Sequence, residues 1–237
     1  MKPSVTLLLE EAKKKMSGYV ALLNYRFANL SVKAQAEALL SVTVSAGGET
    51  MPLERAALTR NVKGREDQFE VYPRNRSLLA PVLSGFKCAH PEYKLELNDI
   101  SGSEDAEGVK DQYILATVPE VDDSRHSELT QAVNSLSDGC KKLLEMTRSY
   151  YSDQLKLVLD GAPQEEQDEA SDALQDLYKR HEDLCGKFRS NKEQEIEAAH
   201  SKYKEKNACH KQKEGADNGA SREAVAGMRM KWTEDDD

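Results

Sequence analysis

The chain has 237 residues, 33 Lys/Arg against 42 Asp/Glu (formal charge −9), and is 38% hydrophobic, 6% aromatic and 32% charged. That is too polar for a thick globular core and too apolar for a disordered chain; it suits long, narrow helices with one apolar stripe each. No apolar run approaches the ~20 residues that span a bilayer, since Leu7-Leu8-Leu9 is cut at once by Glu10-Glu11, so no membrane helix, secretory signal or membrane partner is expected.

Four scattered cysteines without a CxxC pair (Cys88, Cys140, Cys185, Cys209) argue against a zinc ribbon or disulfide framework and fit a reducing compartment. The charge is uneven. Residues 1–40 carry six Lys/Arg against three Asp/Glu, whereas residues 121–200 carry ten against eighteen. A net acidic chain can still bind RNA where its cations gather on one face.

The first predicted element is a long amphipathic helix. Val5, Leu8, Ala12, Met16, Tyr19, Leu23, Phe27 and Leu30 recur at steps of three and four, a heptad-like stripe with Lys13, Lys14, Lys15 and Arg26 mostly outside it. The pattern changes near residue 40. Val42-Thr43-Val44 reads as a strand ending in a Gly47-Gly48 turn, followed by Pro52-Leu53 and a short mixed stretch. Phe69–Tyr72 alternates like a strand, Ser77–Phe86 reads as a short helix with Pro81 in its first turn, and Tyr93–Leu97 is a further strand. An acidic loop over 101–108 and a last strand over Tyr113–Val118 complete the stretch.

Helical periodicity returns after Pro119. Leu129, Val133, Leu136, Cys140, Leu143, Tyr150 or Tyr151, Leu155 and Val158 form the second stripe, with Asp122-Asp123-Ser124 as N-cap candidates and a stop at Gly161 and Pro163. Ala170, Leu174, Leu177, Leu184 and Phe188 form the third, which fades through Ile196 and Tyr203. The acidic run Glu165–Asp172 sits on the first turns, where the helix dipole favours it. A single apolar seam cannot stabilise a helix alone, so the three are expected to share a core. The predicted class is α+β: a discontinuous three-helix bundle (1–40 and 121–205), an inserted β/α/β domain (41–120) and a flexible charged tail (206–237).

Catalytic signatures are missing. There is no phosphate-binding loop, GxSxG elbow, HExxH or EF-hand pattern, and the carboxylates come in runs typical of a solvated face. Neither an enzyme nor a cofactor is indicated. His181 and Cys185, at i and i+4, have a spacing that could hold a metal, but both lie beside the third stripe without a further ligand, which favours core packing; Cys209-His210 is a similarly weak pair.

Several motifs in this order resemble those of the ribosome recycling factor family over about 190 residues, from Leu7 to Ile196. Gly48-Glu-Thr-Met-Pro52-Leu53 is similar to the family's Gly-Thr-Pro-x-Pro-Leu, and Val71-Tyr72-Pro73-Arg74 to its Val-Phe-Asp-Arg. Val118-Pro119-Glu120-Val121 followed by Glu128-Leu129-Thr130 resembles its Val-Pro-Leu-Pro passage and the Asp-Leu-Thr entering the second long helix. Arg148–Gln154 stands where the family has an Arg-rich segment, and Lys156–Gly161 resembles its break between helices.

The resemblance implies an L-shaped protein that binds the post-termination ribosome across the tRNA sites of the large subunit. It implies subunit separation together with an elongation factor G-type GTPase, the energy coming from the partner's GTP. Motion of the small arm is expected about Leu40-Ser41 and Pro119-Glu120-Val121. The family's critical arginine falls on Arg148, and a further basic position on Lys141, with Lys142 beside it. A neighbouring arginine position holds Glu145, and the Arg-Thr-Gly-Arg pattern reads Leu30-Ser31-Val32-Lys33. Arg148, Lys141, Lys142, Lys33 and Arg26 are the candidate rRNA-binding cations, forming a track for phosphates if the two helix faces adjoin. The alternative reading is an ordinary solvated flank. Tyr150 and Tyr151 could stack on bases, although core packing is expected for at least one. A monomer is expected, placed in the mitochondrial matrix by its departures from the arginine pattern and its added tail, or alternatively in the bacterial cytoplasm. A ribosome-associated structural or assembly protein that retains the fold without recycling is the second functional reading, and a helical scaffold for a partner helix the third.

Overall fold

The structure, a computed structural model, describes residues 2–104 and 110–229, with side chains described for 2–100 and 111–208. Its first helix, α1 (Pro3–Asn29), starts with proline in the first turn, where the missing N–H costs nothing. It buries Val5, Leu9, Ala12, Met16, Val20, Leu23 and Phe27. Two positions differ from the sequence expectation: Leu9 and Val20 carry the seam, while Leu8 and Tyr19 are its half-buried flanks.

A short 3-10 helix (Ala36–Ser41) leads into the inserted domain. Strands β1 (Thr43–Ala46) and β2 (Glu49–Pro52) form an antiparallel hairpin. Its loop is Gly47-Gly48 with φ of +61° and +85°, the two positive values that a tight hairpin matching strand twist requires. After α2 (Leu53–Ala56) come β3 (Ala57–Asn61), β4 (Gln68–Pro73), α3 (Leu79–Ala89), β5 (Lys94–Glu104) and β6 (Lys110–Thr117). The last four strands form one antiparallel sheet in the order β3-β4-β6-β5. Strands β2 and β3 were not expected; both are short and of mixed sequence, with no apolar alternation to betray them. Strand β5 extends into the expected acidic loop as far as Glu104, and 105–109 lie outside the described residues.

A second core closes this domain. Val42, Val44, Leu53, Phe69, Val71, Val82, Phe86, Ile114 and Val118 are buried together, separately from the bundle core. Gly85 lets α3 approach β1 closely, since a Cβ there would meet the Thr43 carbonyl oxygen at 2.3 Å.

The chain returns through Val118–Val121 into α4 (Asp123–Val158), whose N-cap Asp122 accepts from the Arg125 amide at 2.8 Å. Gly161 (φ +73°) turns the chain into α5 (Gln164–Arg229). That helix continues past residue 206, while 230–237 lie outside the described residues. Helix α4 buries Leu129, Val133, Ser137, Cys140, Leu144, Thr147, Tyr151 and Leu155. Leu144 thus replaces the expected Leu143, and Leu143, Val158 and Leu184 are exposed. Of the tyrosine pair, Tyr151 is buried and Tyr150 is 54% exposed.

Cross-helix contacts fix the directions. Glu11 meets Tyr151, Tyr19 meets Cys140 and Ser31 meets Arg125, so α1 and α4 are antiparallel. Ser17 meets His181 and Leu30 meets Lys192, so α1 and α5 are parallel. The result is the expected α+β architecture, a long three-helix bundle with an inserted β/α/β domain. Among the described residues no helix is long and apolar enough to cross a membrane.

Candidate nucleic-acid interface

The α4 cations divide between two faces. Arg148 turns toward α5, where Nη1 donates to Gln175 Oε1 at 2.9 Å and the guanidinium lies 5.1 Å from the centre of the Tyr178 ring. Its Nη2 donates to Glu145 Oε1 at 2.5 Å. The pair is mutual: Glu145 holds the guanidinium above its ordinary pKa, and Arg148 holds the carboxyl below the usual range. Lys141 is half-buried and lies seven residues earlier, two helical turns along the same side.

Lys142 belongs to another side. It aligns at i, i+4 and i+8 with Met146 and Tyr150, all three exposed. The ammonium of Lys15 on α1 stands 5.3 Å from the Tyr150 ring centre and 5.2 Å from that of Tyr151. Sequence periodicity gave no sign that Lys15 would join this group, because the α1–α4 register is set by tertiary packing. Tyr150, not Tyr151, is therefore the ring available to stack on a base.

The α1 cations lie further along. With Tyr19 against Cys140 and Ser31 against Arg125, Arg26 and Lys33 sit level with the first turns of α4, roughly 25 Å and 35 Å from Arg148 along the rod. Arg26 is exposed in the last turn of α1. Lys33 lies 4.0 Å from Glu195 on α5. The structure thus spreads the five predicted cations along the rod instead of gathering them at one point.

The junction of the two domains holds the predicted hinge residues. Leu40 is exposed, whereas Ser41 Oγ lies 3.1 Å from His90 Nε2 and donates to the Ala38 carbonyl at 3.0 Å. On the second connection Val121 is buried, and Glu120 is bonded to Lys206. Two cations close the end of α1, where carbonyls lack helical partners: Arg125 donates to the Ser31 carbonyl at 2.7 Å and Lys192 to that of Leu30 at 3.3 Å. An open cleft of about 720 Å³ lies beside them, lined among others by Val32, Lys33, Pro119, Val121, Glu195 and Tyr203.

His181 does not join Cys185 in a metal site. Its Nδ1 bonds the Leu177 carbonyl at 2.7 Å and its Nε2 the Ser17 hydroxyl at 3.0 Å, using both ring nitrogens inside the bundle. Cys185 sits 3.2 Å from Cys140, both being buried free thiols. The side chains of Cys209 and His210 lie outside the described residues.

These features define a class of protein: a two-domain α+β rod carrying a β/α/β module on two adjacent connections, the L-shaped plan. No family model and no curated protein matches the chain. Solved structures do. A solution structure of ribosome recycling factor is similar with a TM-score of 0.65 and 18% identity, covering 84% of this chain and 100% of that one. Models for the T. thermophilus ribosome recycling factor and the E. coli elongation factor G bound to the E. coli post-termination complex include a chain that is similar at TM-score 0.55 and 17% identity, covering 81% of this chain and 98% of that chain. At these identities the likeness is one of fold.

Proposed function

We propose that the chain is a ribosome recycling factor, binding rRNA at the tRNA sites of the large subunit and separating the subunits with an elongation factor G-type GTPase and GTP. The observation that carries this reading is the rod with its inserted module, which follows a recycling factor over that protein's whole length. Helix α4 and the end of α1 supply the RNA-facing cations Arg148, Lys141, Lys142, Arg26 and Lys33. The two connections at Leu40-Ser41 and Pro119-Glu120-Val121 act as the hinge. The chain works as a monomer without a cofactor or a catalytic step of its own. We place it in the mitochondrial matrix, with the bacterial cytoplasm as the alternative, because its cation pattern departs from the family's.

Co-sedimentation with cognate large subunits at increasing salt tests the binding. Association that weakens steeply with salt is expected, because cations displace the counterions of the phosphates. Salt-independent binding, or none at low salt, contradicts the proposal.

One observation favours a second reading. Arg148 is held by Glu145, which stands where the family places another arginine. A protein that keeps the fold for ribosome structure or assembly would tolerate that exchange; it would bind ribosomes without splitting them.

A further inference from the structure

Two matching carboxylate-x-x-histidine pairs face each other at the junction end of the rod. Asp123 and His126 are three apart in the first turn of α4, and Glu197 and His200 are three apart on antiparallel α5. That spacing puts both members of each pair on one helix face, the arrangement by which helical bundles present metal ligands to a shared centre. The contacts are crossed: His126 Nε2 lies 3.0 Å from Glu197 Oε2, and His200 Nε2 lies 2.8 Å from Asp123 Oδ1. The two imidazoles stack with ring centres 4.1 Å apart and planes 23° from parallel.

We propose that these residues bind one borderline divalent ion, with Zn2+ as the best match. One ligand atom each from His126, Glu197 and His200 already lies within 4.8 Å of the others. Tetrahedral zinc with bonds of about 2.0–2.2 Å places its ligand atoms roughly 3.3–3.5 Å apart. Because a metal lies in the plane of each imidazole that binds it, the His126 ring must swing out of its stack on the buried His200 to aim Nε2 at a shared ion, with the exposed Glu197 following it. Asp123 or a water completes the fourth position. Two imidazoles in the set favour zinc over magnesium or calcium, which take oxygen ligands. His200 is buried at 6% side-chain exposure, so its ring is held in place, whereas Glu197 and Asp123 are exposed and free to adjust. Lys204, 4.0 Å from Asp123, is the one nearby cation opposing the ion among these contacts; at 62% exposure it can swing into solvent.

The ion would tie the first turn of α4 to α5 two residues beyond Val121, where the second interdomain connection ends. It would therefore stiffen the rod end from which the inserted domain hangs. This site does not depend on the ribosomal reading.

The test uses the full chain without an affinity tag, stripped of metal with a chelator, and titrated with Zn2+ by calorimetry. The Cys209→Ser/His210→Gln variant is run in parallel. One ion per chain is expected in both, with a higher thermal midpoint when zinc is saturating. Co2+ in its place should show the visible bands of tetrahedral coordination. His126→Gln and Glu197→Gln alter exposed or half-exposed groups, so they should fold normally, as checked by circular dichroism, and bind zinc at least tenfold more weakly. No stoichiometric zinc binding by the native chain would overturn the proposal. So would binding unchanged in a folded His126→Gln/Glu197→Gln double variant, or binding lost in the Cys209/His210 variant.

Discussion

Arg125 reaches from the first turn of α4 to the main-chain carbonyl oxygen of Ser31, 2.7 Å away, joining residues 94 positions apart. Burial lowers the guanidinium's pKa, against the carboxylate of Glu92 and other neighbours that raise it. The bond fastens the end of one long helix to the start of the next at the point where both connections leave the rod.

Removing it should be costly. Arg125→Ala leaves the Ser31 carbonyl without its charged donor, and a charge-assisted bond of this kind contributes about 1.5–3 kcal/mol. Urea unfolding should show a loss of that order. An unchanged midpoint would mean that the contact is incidental.

Glu92 gives a pH signature. Burial pushes its carboxyl up, but the hydrogen bond to His90, its own backbone bond and the charges of His90 and Arg125 outweigh that and leave it lowered. A carboxyl lowered in the folded state adds stability above its unfolded value of about 4.3, and that stability is lost as pH falls through the folded value. Glu92→Gln should therefore be less stable than the native chain at pH 7, with the gap smaller at pH 3. Thermal midpoints at the two pH values check this.

Glycines divide by their surroundings. Gly85→Ala drives a Cβ to 2.3 Å from the Thr43 carbonyl oxygen, so α3 must lift from β1; about 1–3 kcal/mol of stability should be lost. Gly18 and Gly139 lie in helices with open space around them, and alanine at either should add up to about 1 kcal/mol. Chemical denaturation of the three variants should give these opposite signs.

If Arg148 contacts RNA as proposed, Glu145 competes with the phosphates for it. Glu145→Gln frees the guanidinium from an exposed pair worth about 0.2–1 kcal/mol, which corresponds to an affinity gain of roughly 1.5- to 5-fold for large subunits. Filter binding at fixed salt measures it. A weaker complex would show that Glu145 positions Arg148 for RNA.

The long helices were legible because a single apolar seam repeats at helical spacing through Met16, Leu23 and Phe27 and again through Leu129, Val133 and Cys140. Details within the seam were not. Leu143 and Leu144 are adjacent and equally apolar, and only the positions of α1 and α5 decide that Leu144 is buried. The Gly47-Gly48 hairpin turn was visible, but its second strand Glu49–Pro52 and the short, mixed β3 were not, since pairing with β1 and β4 supplies what their sequences lack. Of the candidate site, the cations could be named, but not their division between faces. Neither the Lys15–Tyr150 contact nor the facing of Asp123-x-x-His126 with Glu197-x-x-His200 can be read before the helix register is known.

The central claim is tested most directly by subunit splitting, followed by light scattering with cognate ribosomes, the translocation GTPase and GTP. The native chain should lower the scattering only when the GTPase and GTP are present. Arg148→Ala, which loses about 1.5–3 kcal/mol of phosphate contact, should be ten- to a hundredfold less effective at limiting concentration. Ribosome binding by the native chain with no fall in scattering would contradict recycling and leave a structural or assembly role.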